Sequence, residues 1–234
     1  MEKDKIALRC LSLGSYIVRG ELDISVRNQG NKDFLNSANE LVRLLYSWME
    51  KEDLLNYLTS EELESFSKPL GEWNNMEIIK AIWRNESLGT LLWALSLIPK
   101  IPPYDNLFIP ERLIENLTLF RPKEYFLEKV RLRSEEEIKR ERDISEYWFW
   151  RLQVFDLEKR NEPISEGVNI KDIIRSVAEK AYIDGCIPEP IDGDFPILGK
   201  PFKDINLDEY LQISYIIVER YNTLNWLCGY SDSS

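Results

Sequence analysis

Apolar residues recur at the spacing of an α-helix along most of this 234-residue chain. Residues 33–51 show the pattern clearly, because their apolar side chains fall at positions i, i+3, i+4 and i+7 and form one stripe on a helical wheel. No hairpin signal and no alternation of strand and helix patterns accompanies it. We therefore predict an all-α fold, with a single globular domain over residues 1–234 and about eight to ten helices.

Capping residues, glycines and prolines predict where these helices begin and end. We expect a first helix over residues 4–18 and then a connection over residues 20–31, which contains two glycines. Capping boxes begin at Thr59, Ser134 and Asn206. The other long helices are predicted over residues 33–51, 75–98, 110–120, 135–160, 169–184 and 207–228, and a short one starts near Pro122. The proline-rich residues 186–206 are predicted to be a surface loop that is held by Phe195, Ile197, Leu198 and Phe202.

The charge balance and the lack of histidine exclude several function classes. The chain has 30 Lys+Arg and 41 Asp+Glu, a net charge of −11, and no histidine. The acidic balance argues against binding of nucleic acid through phosphate contacts and against attraction to an anionic membrane surface. Without histidine the chain lacks the commonest metal ligand and the usual general base, so we predict no metal site, no cofactor and no catalytic residue. A non-enzymatic role is therefore preferred, although an enzyme is not excluded.

No segment has the pattern of a signal peptide or of a membrane span. Charged residues interrupt the N-terminal apolar positions, and the longest apolar stretch is about half of the 20 residues that cross a bilayer. The three cysteines, Cys10, Cys186 and Cys228, lack the paired spacing of zinc sites or disulfides. These features predict a cytoplasmic protein.

Three sequence motifs resemble a known family. They are WRNESL running into LLWAL at Trp83–Leu95, the segment Asp143–Arg151, and the stretch Asp194–Tyr230 with Glu219-Arg220 and Leu224-Asn225-Trp226-Leu227 at its core. In this order they resemble a bacterial family that is known only as a domain of unknown function, number 4272. The resemblance covers about residues 41–230. It implies the fold and a bacterial origin, and it implies no reaction.

Polar residues on apolar helix faces form the candidate site. On the 75–98 helix, Glu86 lies on one stripe with Trp83 and Trp93. On the last helix, Arg220 lies in line with apolar residues. A buried charge needs a partner, so we predict that Glu86 and Arg220 pair inside the protein. Two further residues, Glu219 and Asn225, belong to the same predicted polar network.

Two interpretations of this network stay open. In the preferred one, the Glu86–Arg220 pair is a buried salt bridge that fixes helix register, since structural ion pairs are common and resemble functional sites. In the other, these residues hold a small molecule in a pocket between the 75–98 and 207–228 helices. Two further aromatic residues, Trp148 and Trp150, are predicted to belong to the core.

Two functional hypotheses follow. The net charge of −11 favours a non-enzymatic protein-interaction module that binds a basic protein partner, because complementary charge speeds encounter. The alternative is a small-molecule-binding or hydrolytic protein that uses the pocket described above. The sequence predicts neither the identity of the ligand or partner nor the oligomeric state.

Overall fold

The structure is a computed structural model that describes residues 2–29, 32–160 and 169–231. These residues form nine α-helices and one two-stranded sheet, so the predicted all-α fold is confirmed. The helices are α1 (Lys3–Gln29), α2 (Lys32–Lys51), α3 (Ser60–Phe66), α4 (Asn75–Ala94), α5 (Pro110–Asn116), α6 (Glu124–Lys129), α7 (Glu135–Arg160), α8 (Ile170–Ile183) and α9 (Leu207–Leu227). The strands are β1 (Pro196–Ile197) and β2 (Lys200–Pro201), and 3₁₀ turns lie at Leu55–Tyr57 and Phe202–Asp204.

The elements pack into two compact units. Of the described residues, the first unit comprises 2–101 and 108–133 and contains α1 to α6. The second comprises 102–107 and 134–231 and contains α7, α8, α9 and the sheet. A single domain over residues 1–234 stays a prediction. Within the described part of the chain, no helix is both long enough and apolar enough to span a bilayer.

Local sequence signals predict the ends of most of the long helices. The helices predicted over 33–51, 135–160, 169–184 and 207–228 match α2, α7, α8 and α9 to within one residue at each end. The predicted capping boxes at Thr59 and Asn206 both form. In each, the capping side chain accepts a bond from the backbone N–H three residues later, and the glutamate there accepts one from the backbone N–H of the capping residue. The box at Ser134 forms in the same way with Glu137.

The first helix is longer than predicted. Helix α1 continues without a break to Gln29, so a connection that starts at residue 20 is wrong, and residues 30–31 of that connection lie outside the described residues. Its glycines serve close packing rather than a turn. A Cβ on Gly14 would overlap the Leu117 side chain, and one on Gly20 would lie 2.7 Å from the Ala81 Cβ. The close approach of α1 and α4 offsets the cost of about 1 kcal/mol that a glycine brings to a helix interior.

Helix α4 is shorter than predicted and ends at Ala94 rather than at residue 98. The chain leaves the helix through a left-handed Ser96, with φ +60°. The Leu97 N–H donates to the Leu92 carbonyl and the Ser96 N–H donates to the Trp93 carbonyl, which is the Schellman pattern of a helix C-terminus. The helix therefore ends before the prolines that were expected to stop it. Helix α5 is also shorter than predicted and ends at Asn116.

The proline-rich loop of the second unit contains a small hairpin that was not predicted. Strands β1 and β2 pair antiparallel, with Pro196 opposite Pro201. The two turn residues, Leu198 and Gly199, have φ values of +52° and +71°, as in the tight turns that suit hairpins. Leu198 at the tip is 44% exposed, so its predicted role in holding the loop is wrong. The other three predicted anchors are buried: Phe195, Ile197 and Phe202.

Candidate functional site

Glu86 lies in the middle of α4, inside the first unit, and is 1% exposed. Its Oε1 accepts a hydrogen bond of 2.9 Å from the backbone N–H of Phe108. The Phe108 ring packs over Gly89, one turn further along α4, where any Cβ would overlap it. The buried carboxylate thus holds the turn that precedes α5 against α4.

The two tryptophans of the predicted site also lie on α4. Trp93 is buried, and the guanidinium of Arg133 stands 5.0 Å from the centre of its ring. Arg133 Nε also donates to the Trp93 carbonyl, at 2.8 Å. Trp83 is half-buried. Trp93 is therefore held by packing and a cation–π contact within its own unit.

Arg220 lies on α9 in the second unit and is fully buried. Its Nη1 donates to the Pro102 carbonyl at 2.6 Å, and its Nη2 donates to the Asn106 carbonyl at 2.7 Å. The guanidinium stands 5.2 Å from the centre of the Tyr104 ring. Arg220 therefore fixes the turn at residues 102–106 to α9.

Two further predicted residues lie on α9. Asn225 is buried, and its Oδ1 accepts a hydrogen bond of 3.0 Å from Arg142 Nε. Glu219 is half-buried, and its carbonyl accepts a bond from the Thr223 hydroxyl. The structure thus brings Glu219, Arg220 and Asn225 onto one helix of the second unit. Glu86 lies in the first unit, and its pairing with Arg220 stays a prediction, as does a pocket between the two predicted helices.

A cavity of about 540 Å³ in the second unit was missed at the sequence level. Helix α7 supplies most of its lining, and α8 and the turn after it supply the rest. We call it the acidic cavity, because its charged residues are three carboxylates and one arginine. The lining residues are Arg140, Asp143, Glu146, Tyr147, Trp150, Val177, Asp184 and Cys186.

Hydrogen bonds order one wall of the acidic cavity. The Tyr147 hydroxyl donates to Asp184 Oδ2 at 3.2 Å, and Arg140 donates to the Asp184 backbone carbonyl. Burial raises the pKa of the Tyr147 phenol, and the neighbouring Asp184 carboxylate raises it further. At neutral pH Tyr147 is therefore a neutral hydrogen-bond donor to Asp184.

The other wall carries two partly exposed carboxylates. The side chains of Asp143 and Glu146 are each 48% exposed. One guanidinium, that of Arg142, contacts both carboxylates, so two negative charges share one positive charge. Trp148 is buried in the core as predicted. Trp150 is half-buried and lines the cavity, so its predicted place in the core is wrong.

The acidic cavity has little capacity for nucleophilic or metal chemistry. Burial raises the pKa of the Cys186 thiol, an effect that the nearby Arg140 opposes only in part, so the thiol is protonated at neutral pH. Across residues 2–29, 32–160 and 169–231, no group of three or more Cys, Asp or Glu side chains is placed to hold a metal ion. The arrangement is suited instead to holding a cation between carboxylates and aromatic rings.

The cavity has a partial signature in the sequence. Asp143, Tyr147 and Trp150 recur at three- and four-residue spacing, so they share one face of α7. This interleaving of acidic and aromatic residues was available to sequence analysis. The contributions of Asp184 and Cys186 were not, because they depend on how the end of α8 packs against α7.

A family model described as Domain of unknown function (DUF4272) matches residues 2–176. The chain belongs to this family. The DUF4272 match includes Glu86 and the α7 wall of the acidic cavity, and it begins earlier than the resemblance did. It ends before Asp184 and before the stretch Asp194–Tyr230. No curated protein and no solved structure matches the chain.

Proposed function

We propose that this DUF4272 protein is a non-enzymatic interaction module, and that its acidic cavity receives a lysine or arginine side chain of a basic protein partner. One observation carries the proposal: three carboxylates and two aromatic rings line a single cavity on a chain of net charge −11. The carboxylates suit an incoming cation, and the rings suit its apolar stem and its charged head.

The charges of the cavity favour an added cation. Its lining carries three acidic residues and one basic residue, so its net charge is 1 − 3 = −2. Asp143 and Glu146 share a single guanidinium, that of Arg142, and keep part of their negative charge available. The negative field of the whole chain would steer a basic surface toward this site.

The second candidate function remains a small-molecule-binding or hydrolytic protein that uses Glu86, Arg220 and Asn225. It is supported by the burial of two charged side chains on apolar helices. We rank it second because both side chains form hydrogen bonds that hold turns of the backbone, which a purely structural role explains.

We also propose that the protein is bacterial and works in the cytoplasm. The bacterial origin rests on the resemblance of its motifs. The location is supported by the three cysteines, Cys10, Cys186 and Cys228, which are all free thiols, as is usual in a reducing compartment.

The test compares three immobilised proteins: the parent, the double variant Asp143→Asn/Glu146→Gln, and the double variant Glu179→Gln/Glu189→Gln. The last is a matched control, because it removes the same two charges from exposed residues outside the cavity. A basic protein that the parent retains from a cell extract is then purified and titrated against each.

We expect the cavity variant to bind this partner at least about tenfold more weakly, since each charged hydrogen bond contributes on the order of 1.5–3 kcal/mol. The control variant should keep the parent affinity. Equal affinity for all three proteins, or a partner that is not basic, would contradict the proposal.

A further inference from the structure

A second cavity of the second unit, of about 290 Å³, has the opposite character. Three exposed basic side chains line it: Lys171 and Arg175 lie one turn apart on α8, and Lys203 follows the hairpin. We call it the basic cavity. A cluster of basic side chains is unusual on this chain, whose net charge is −11.

The floor of the basic cavity is an ion pair that is fully buried. Arg151 Nε donates to Asp194 Oδ1 at 2.6 Å, and Arg151 Nη2 donates to Asp194 Oδ2 at 2.8 Å. Arg151 Nη1 also contacts Glu158, at 3.2 Å. Because two carboxylates balance this arginine, the floor contributes no excess of positive charge.

The same carboxylate orders the rim. Asp194 Oδ2 accepts a bond of 2.9 Å from the backbone N–H of Lys203, which fixes the start of that side chain. Gly193, with φ +73°, lets Arg175 lie against the loop, because a Cβ there would be 2.9 Å from Arg175 Nε. The basic side chains therefore extend from a backbone that is already in place, which lowers the cost of ordering them around a ligand.

The three rim cations are available to a ligand. The lining as a whole has four basic and three acidic residues, a net charge of 4 − 3 = +1. Among the described residues, Lys171, Arg175 and Lys203 form no ion pair, and the acidic residue left at the rim is Asp192. Lys171 also lies in the first turn of α8, where the helix dipole adds partial positive charge.

We propose that the basic cavity binds a phosphate dianion, either free phosphate or the phosphate group of a small monoester. A guanidinium offers phosphate a planar fork of donors, and two ammonium groups supply the remaining charge. Three cations suit a dianion better than a monocarboxylate. The site and its ligand are distinct from the acidic cavity and from the basic partner proposed for it.

The test is a calorimetric titration of the full chain with inorganic phosphate and with glycerol phosphate, at about 0.15 M ionic strength, where weak surface attraction is screened. We expect saturable binding of the dianion. The variants Arg175→Gln and Lys203→Gln should each weaken it about tenfold, because each removes one charge-assisted hydrogen bond. Lys180→Gln, an exposed residue of the same helix outside the cavity, should keep the parent affinity.

The outcomes separate the two sources of phosphate. Tighter binding of glycerol phosphate indicates a monoester ligand, and tighter binding of inorganic phosphate indicates the free ion. The proposal is overturned if neither probe binds saturably, or if Lys180→Gln weakens binding as much as Arg175→Gln does.

Two controls accompany the titration. Because the substituted side chains are exposed, thermal melts of the variants should match that of the parent. Asp143→Asn/Glu146→Gln should bind phosphate normally, which keeps this result independent of the proposed function.

Discussion

The guanidinium of Arg151 and the carboxylate of Asp194 form two parallel hydrogen bonds, of 2.6 and 2.8 Å, in the interior of the second unit. They join the middle of α7 to the loop that leads into the hairpin. Asp194 also accepts bonds from the backbone N–H groups of Phe195 and Lys203. One buried pair therefore sets the path of a loop that has little regular structure of its own.

Replacing one member of this pair should be strongly destabilising. We expect Asp194→Ala to lower the free energy of unfolding by about 3–5 kcal/mol, because it leaves Arg151 buried without its main partner. The double variant Arg151→Met/Asp194→Leu should lose less, since the one charge that then loses its partner, Glu158, is partly exposed to water. Urea denaturation followed by circular dichroism measures both. A single variant as stable as the parent would contradict this account of the loop.

Glu86 should contribute to stability through the N–H of Phe108. Glu86→Leu is expected to cost about 1–3 kcal/mol, the usual cost of leaving a buried donor unsatisfied. Glu86→Gln keeps an acceptor for that N–H and should cost less. The order of the two variants in chemical denaturation is the decisive measurement, and a leucine variant that is more stable than the glutamine variant would refute the assigned role.

Gly20 should not tolerate a methyl group, although alanine is the better helix former. In Gly20→Ala the new Cβ would lie 2.7 Å from the Ala81 Cβ and 3.1 Å from the Trp73 ring. We expect a loss of about 1–3 kcal/mol from overpacking. The compensating variant Gly20→Ala/Ala81→Gly should recover most of it. If the single variant raises the melting temperature, α1 and α4 are not packed as closely as described.

Acid should weaken the first unit through Glu62. Burial alone would raise the pKa of this carboxyl, but the hydrogen bonds and charge of Arg9, with help from Arg84, outweigh it and hold the pKa below its ordinary value of 4.5. A group whose pKa is depressed by folding stabilises the fold above its unfolded pKa, and this contribution is lost as the pH falls through the folded value.

The free energy of unfolding should therefore decline as the pH falls below about 4.5, where the unfolded chain takes up the proton first. Glu62→Gln should be less stable than the parent at neutral pH and should show a shallower decline in acid. Denaturation curves recorded at several pH values around 4.5 measure whether the free energy of unfolding falls toward acid, as expected. A parent and variant with parallel pH profiles would show that Glu62 is not the titrating group.

The part of this fold that depends on local signals was predictable from sequence. Helix α7 begins where predicted because Ser134 caps its first turn, and the ion pair between Arg142 and Glu146, one turn apart, supports the helix. The end of α4 was not predictable, because a left-handed serine ends it several residues before Pro99. The length of α1 was missed for a different reason. Gly20 predicts the start of a connection, whereas its role is to let Ala81, 61 residues away in the chain, pack closely against the helix.

The candidate site was also predictable only where it depends on local sequence signals. The burial of Glu86 and Arg220 follows from apolar neighbours on their own helices, and the structure agrees. Their acceptors and donors are backbone groups of irregular turns, which carry no side-chain pattern. Both cavities combine residues of α7 and α8 with residues of a loop or turn, and their assembly depends on packing that the sequence pattern does not show.

The bonds of Arg220 also have a consequence for synthesis of the chain. Arg220 lies 118 residues after Pro102, whose carbonyl it binds. A ribosome that builds the chain from its N-terminus exposes residues 102–106 long before α9 emerges. Until then the Pro102 and Asn106 carbonyls lack their guanidinium donor, and Tyr104 lacks the guanidinium that stands over its ring. The second unit can therefore be completed only after α9 has been translated, and nascent chains that stop before Arg220 should be the forms most in need of chaperones.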